Sequence, residues 1–319
     1  MGLTAPAVPL ASSASSKHIT ATNVSGLWAT ITLASLVAMA AWARDGLWLI
    51  AFLGVIILVH EGGHWFFARR AGMRPTEFYW GFGPEIVGFD YDGCRYGVKA
   101  IFLGGYVKLW GMTPTSELPE GIAESDTYRA ATHRGRLATI LAGPFTNFVT
   151  AAFAFGVANL LDGGGIFISF TQGFVDVWHV MEGTGQALWL WISSLDAYFG
   201  VVFDTSADPN SGPVRFLSPV QQAEVSGYAV ANGATMALRW FAILSAAVGM
   251  VNLLPLPPLD GAHAAVTFVE GVTQRLKRDD SVRVDVRRLE PLAYMTIGAL
   301  VVLSLGALVL DLRDLGISF

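Results

Sequence analysis

The sequence predicts a polytopic α-helical membrane protein with four core transmembrane helices, a further helix before them and a small membrane-associated β-hairpin or sheet. Three observations predict this. The chain of 319 residues is 53% hydrophobic and only 14% charged, against about 25% charged in ordinary globular domains. Its apolar residues gather into runs near the length, about 20 residues, that crosses a bilayer. Its Lys and Arg residues crowd into alternate connections between those runs.

Residues 1–26 are rich in Ser, Thr, Ala and Pro and carry Lys17 as their only formal charge, which predicts a flexible tail. Residues 27–43 form an apolar run. A signal-peptide core is the competing reading there, but the long tail in front favours a retained membrane segment. Four core spans follow: Gly46 to Phe67, Leu137 to Leu161, Leu238 to about Leu259, and Leu292 to Leu312. Ile166 to Val180 and Ala187 to Phe203 are apolar but broken by Asp and Gly. With Trp178, Trp189 and Trp191 they read as interfacial helices, a crossing hairpin being the alternative. Tyr96 to Leu109 is rich in Val, Ile, Phe and Tyr around Gly104-Gly105 and predicts a hairpin or looped strand pair.

Charge orients the spans. Arg69, Arg70 and Arg74 follow the first core span; Arg129, Arg134 and Arg136 precede the second; Arg275, Lys277, Arg278, Arg283, Arg287 and Arg288 lie between the last two. Residues 162–236 hold Arg215 alone against Asp162, Asp176, Glu182, Asp196, Asp204, Asp208 and Glu224. The first set is expected on the cytoplasmic side and the second outside. The chain then divides into residues 46–161, an extracytoplasmic stretch 162–236, residues 237–312 and a short tail 313–319.

Inside the first core span lies LVHEGGHWFFARR, residues 58–70. His60 and His64, four apart on a helix, share a face and can share one zinc ion, and Glu61 beside them is placed to take a proton from water. Two His and a Glu next to an uninterrupted apolar run are costly in hydrocarbon unless something binds them. Gly62-Gly63 fits a need for space beside a metal or for close approach of another backbone. Cys94 is the only cysteine, so an internal disulfide and a Cys-based zinc site are excluded. Catalytic zinc usually has three protein ligands. Asp260, in NLLPLPPLDGAH (252–263), follows a span broken by Pro255, Pro257 and Pro258 and is the best candidate. A helix cap is its plain structural alternative, and His263 is a rival ligand.

HEGGH on the first core span, with LDG about 200 residues later on the third, resembles the site-2 proteases, intramembrane zinc metalloproteases. AGPFTNF (142–148), WGFGPE (80–85), YGVKAIFLGGYVKLWGM (96–112) and SGPVRF (211–216) resemble further elements of that family in the same order. The likeness covers roughly Gly46 to Leu312 and is closest to the bacterial branch that cuts anti-sigma factors and remnant signal peptides. It implies one Zn2+ held by His60, His64 and Asp260, with Glu61 as general base and then acid. It implies substrate contacts from Asn147 and Asn252, although each could instead be a helix–helix hydrogen-bonding residue. It implies an edge strand at Gly104, Gly105, Tyr106 and Val107 that binds an unwound substrate through main-chain hydrogen bonds. The expected setting is the bacterial inner membrane, with the active site toward the cytoplasm. The expected partners are single-span membrane protein substrates and the lipid bilayer, with no nucleic acid. Residues 162–236 lack the pattern of the PDZ domain many such proteins carry there. The competing class is a metal-binding membrane protein without hydrolysis, such as a transporter or an inactive relative. An intact Glu61 argues against it, since a transporter needs ligands but no base.

Overall fold

A computed structural model describes residues 44–112, 117–204, 206–211, 217–279, 284 and 289–314. The expected tail 1–26, the expected segment 27–43, most of SGPVRF and residues 315–319 lie outside the described residues. In chain order the elements are α1 (Arg44–Arg70), β1 (Pro75–Tyr91), β2 (Cys94–Leu109), α2 (His133–Leu161), α3 (Ile166–Ser193), α4 (Leu195–Phe203), α5 (Pro219–Ala231), α6 (Ala234–Asn252), α7 (Asp260–Lys277) and α8 (Glu290–Asp314), with a 3-10 turn at Glu124–Asp126.

Four of these helices, α1, α2, α6 and α8, are long and apolar enough to cross a membrane. They coincide with the four core spans expected from the sequence. The 27 residues of α1 reach about 40 Å at 1.5 Å per residue, against a hydrocarbon core of about 30 Å. Their large apolar side chains point outward as often as inward: Leu47, Val55 and Phe66 on α1, and Met295, Val301 and Leu305 on α8, are exposed. In water this would be a defect; against lipid it is the expected surface.

α2 is the central helix and packs against α1, α3, α6 and α7. Thr132 caps its start, the side chain accepting from the Gly135 N–H at 3.1 Å, a bond worth about 1 kcal/mol. Small residues set its contacts. Ala151, Ala152 and Phe155 of α2, Val177 of α3, and Ala242 and Ala246 of α6 form one buried cluster. A Cβ on Gly173 would fall 2.3 Å from the Ala152 carbonyl oxygen, so α3 lies backbone to backbone on α2. That contact explains a difference from expectation. Residues 166–193 form one continuous helix rather than a segment ending near Val180: Gly173 serves packing, Asp176 is held by Asn159 (2.9 Å) and Gln172 (3.1 Å), and the helix runs on through Gly183, where a Cβ would meet nothing within 4 Å. The described residues of 162–236 form helices and turns. Tyr198 of α4 donates to the Leu303 carbonyl (3.1 Å) and Arg313 to that of Val201 (2.6 Å), tying α8 to α4.

α6 ends at Asn252, earlier than the expected Leu259. The prolines at 255, 257 and 258 lack the N–H that would continue the helix, and the chain turns through residues 253–259 before α7 begins. Gly261 permits the turn: a Cβ there would lie 2.2 Å from the Leu253 oxygen and 2.3 Å from that of Leu254.

β1 and β2 form one antiparallel sheet. The expected reversal at Gly104-Gly105 is a bend instead. The chain reverses at Asp92-Gly93, whose φ values of 49° and 71° match the two-residue turn that an Asp-Gly pair favours. β1 bends at Gly81 and Gly83 (φ 95° and 81°) and β2 at Gly104 (φ 150°), so each strand folds back on the sheet. Residues 77–80 thus sit beside two parts of β2, with Phe78 opposite both Tyr96 and Val107. The 105–109 stretch has β1 on one side, and its other side carries no strand among the described residues. A Cβ on Gly105 would lie 2.8 Å from Ile57 and 3.0 Å from Glu61 Cγ, so that stretch lies against α1 at the motif.

Candidate metal centre and active site

The first two site residues come from α1, one helical turn apart. His60 is buried, and its Nε2 lies 3.2 Å from that of His64. The proline break delivers Asp260 to the same point, its Oδ2 2.9 Å from His60 Nε2 and 3.3 Å from His64 Nε2. The N-cap of α7 is Leu259 and Asp260 is the helix's first residue, with its carboxylate turned to the two histidines. Tetrahedral zinc with bonds near 2.0–2.1 Å holds its ligand atoms about 3.3 Å apart, close to the 2.9–3.3 Å found.

The surroundings test the fit. His64 Nδ1 donates to the Thr139 carbonyl at 2.7 Å, so the proton sits on Nδ1 and the Nε2 lone pair faces the cluster. Asn147 is fully buried behind His60, its Nδ2 3.1 Å from His60 Nδ1, while its Oδ1 has no hydrogen-bond partner. Turned end for end, the amide oxygen accepts from His60 Nδ1–H, and the His60 Nε2 lone pair is also free. Three electron-rich atoms this close repel unless a cation lies among them. A Cβ on Gly143 would fall 2.3 Å from His64 Nε2 and 2.6 Å from His60 Nε2, so the wall of α2 is hollowed where an ion belongs. The residues fit zinc. His263, the rival ligand, stands one turn beyond Asp260 and outside the cluster of donor atoms, which lie within 4.8 Å of one another.

A cleft of about 290 Å³ opens on this cluster, lined by Glu61, Asn252, His263 and the strand residues Gly105, Tyr106 and Val107 among others. Glu61 has its carboxylate beside both histidines, with the backbone N–H of Val107 directed at it. Tyr106 is anchored by its hydroxyl, which donates to Glu77 at 2.6 Å and accepts from Lys99 at 2.7 Å. Burial, and then the Glu77 carboxylate, push its phenol upward, so it stays protonated as a donor. Burial alone would raise the Glu77 carboxyl, but the bonds from Lys108 and Tyr106 outweigh it and hold it below its ordinary value.

Most of the residues expected from the sequence meet here: His60, Glu61, His64, Asp260, Asn252, Gly105, Tyr106 and Val107. Gly104 sits at the bend beside the cleft rather than in its wall. Asn147 lies behind His60 and supports a ligand instead of facing the cleft. Of the Gly62-Gly63 pair, Gly63 lies close against α2, where a Cβ would fall 2.7 Å from the Ala142 carbonyl oxygen. A Cβ on Gly62 would meet nothing within 4 Å, and the structure gives no reason for that glycine. Thr139 and Tyr128 were not foreseen, and Gly143 and Met112 only as parts of the AGPFTNF and YGVKAIFLGGYVKLWGM segments. Gly143 and Pro144, adjacent inside an apolar helix, were the available signal; Thr139 acts through its backbone and leaves none.

The family model of peptidase family M50 matches residues 48–287. A protein of Clostridium acetobutylicum provisionally named a zinc metalloprotease is 24% identical over 308 residues, 73% of this chain and 89% of that one. One of Mesorhizobium japonicum, named in the same way, is 27% identical over 323 residues, 70% of this chain and 88% of that one. The zinc metalloprotease Rip1 of Mycobacterium tuberculosis is 36% identical over 113 residues, 33% of this chain and 28% of its own. With the matched region enclosing the helices that build the cluster and the sheet against it, the chain belongs to peptidase family M50 and is a membrane metallopeptidase.

Proposed function

We propose that this protein is an intramembrane zinc endopeptidase that cuts within the transmembrane segments of single-span membrane proteins, anti-sigma factors and remnant signal peptides among them, in regulated intramembrane proteolysis. It works in a bacterial inner membrane with the active site toward the cytoplasm. One observation carries the reading: a His-His-Asp cluster and a glutamate share a cleft with an open strand edge, among helices apolar enough to span a bilayer.

Zinc, when bound, supplies Lewis-acid polarisation of a carbonyl and makes water more acidic. His60, His64 and Asp260 hold it; Thr139 and Asn147 fix the two imidazoles. Glu61 takes the proton from water and returns it to the leaving amine. A transmembrane helix has its amides tied up internally, so it must unwind before it is cut. The free side of residues 105–109 offers main-chain partners to an unwound segment, and the Val107 N–H already aimed at Glu61 joins that edge to the reacting centre.

The test uses purified protein in nanodiscs with single-span substrates and maps each cut by mass spectrometry. Cuts inside the apolar segment, abolished by chelation and increased by helix-breaking residues in the substrate, are expected. Cuts confined to soluble loops, or none from protein with full zinc, would overturn the reading.

A further inference from the structure

α7 is amphipathic in the wrong sense for water. Its inward face is polar: Thr267 Oγ1 pairs with the Tyr128 hydroxyl at 2.9 Å, and Glu270 accepts from Arg136 at 2.7 Å and from the Val284 N–H at 2.8 Å. Its outward face is apolar. Phe268, Val272 and Leu276, spaced four apart on one face, are 60%, 41% and 80% exposed, with Val269 beside them at 52%. A helix on a water-soluble surface shows the opposite pattern.

Its depth is fixed by α2. Asp260 lies at the metal cluster, Ala264 packs against the buried cluster that includes Ile140, Glu270 pairs with Arg136, and a Cβ on Gly271 would touch the ring of His133, the first residue of α2. α7 therefore runs beside the first turns of a spanning helix, from the cluster to the membrane edge. At that edge lie Arg275, Lys277 and Arg278, and the sequence continues with Arg283, Arg287 and Arg288.

We infer that α7 is the inner half of a span broken at the prolines, and that its outward face is a binding surface for anionic phospholipid. Acyl chains cover Phe268, Val269, Val272 and Leu276, and phosphate headgroups meet Arg275, Lys277 and Arg278. Charge favours this occupant over a second copy of the chain, which would bring two basic clusters together. Each Lys or Arg near an anionic surface strengthens attachment about fivefold, so three give on the order of a hundredfold preference over neutral headgroups. Because Asp260 is the first residue of α7, seating the helix in lipid also seats the ligand. The inference rests on the membrane embedding and not on the peptidase reading.

The experiment places a nitroxide at Val272→Cys or Leu276→Cys, with Lys277→Cys as the headgroup control, in full-length protein carrying Cys94→Ser. The bilayers are phosphatidylcholine alone or mixed with phosphatidylglycerol. The labels at 272 and 276 are expected to be open to oxygen and closed to a water-soluble nickel chelate, and to move deeper when phosphatidylglycerol is added. Arg275→Gln/Lys277→Gln/Arg278→Gln is expected to abolish that movement. The label's environment is read without any cleavage, so its failure and the failure of the peptidase reading are separate results. Nickel access at 272 and 276 in both lipids, an identical depth in both, or spin–spin broadening that rises with protein density, which would identify a second copy, would each overturn the inference.

Discussion

Glu61 carries the proton in this arrangement while touching none of the ligand positions, so Glu61→Gln is expected to keep full zinc and to lose about 10²- to 10⁴-fold in rate. Normal turnover by a zinc-replete Glu61→Gln sample would remove Glu61 from the mechanism. The third ligand separates in the same way: Asp260→Ala is expected to lose bound zinc and His263→Ala to keep it, since only Asp260 lies in the cluster. Metal analysis of the two purified variants decides, and the reverse result would exchange their roles. Gly143→Ala pushes a methyl against both Nε2 atoms and should leave the protein short of zinc, whereas Gly62→Ala, with nothing within 4 Å, should leave zinc full. Equal zinc in both would mean that the hollow in α2 is not where the ion sits. At this scale the sequence made the three residues of the cluster legible, because His-x-x-x-His on a helix and an aspartate after a proline break are patterns of side chains. It hid their supports. Thr139 contributes a backbone oxygen and Gly143 an absence of atoms, and neither has a side-chain signature.

The helices were legible as elements because lipid imposes a length and an apolar composition that can be counted. The sheet was half legible. β1 reads poorly as a strand, since Gly81, Gly83 and Pro84 interrupt PTEFYWGFGPEIVGFDY, yet those glycines are the bends that fold the strand back on the sheet. The Asp92-Gly93 pair is a turn signal in its own right, but the Gly104-Gly105 pair, lying amid β-prone residues, competes with it for the reversal. β2 also carries the test of how substrate is held. Val107→Pro removes the N–H aimed at Glu61 and breaks the strand, so it should abolish most cleavage while zinc stays bound. Val107→Thr keeps the backbone and the β-propensity and should change little. Full activity in Val107→Pro and in proline variants at neighbouring positions of the edge would end the strand-addition model and leave the metal chemistry untouched.

For the whole molecule, the distribution of charge matters more than its total of −5. Lys and Arg gather where α1 ends and α2 begins (Arg69, Arg70, Arg74, Arg129, Arg134 and Arg136) and between α7 and α8 (Arg275, Lys277, Arg278, Arg283, Arg287 and Arg288), whereas residues 162–236 are acidic with one cation. The cluster of His60, His64 and Asp260 lies toward the basic side, since α1 ends at Arg69 and Arg70 and α2 begins at His133. If that side is cytoplasmic, the products of a cut near the cluster include a fragment released inward, which is what a signalling protease needs. Single cysteines in a Cys94→Ser background test this in cells whose inner membrane is intact. Asp204→Cys is expected to react with an impermeant maleimide, and Arg278→Cys only after permeabilisation. Reaction of residue 278 from outside, with residue 204 protected, would turn the molecule over and send the fragment outward, and no role in cytoplasmic signalling would survive that result.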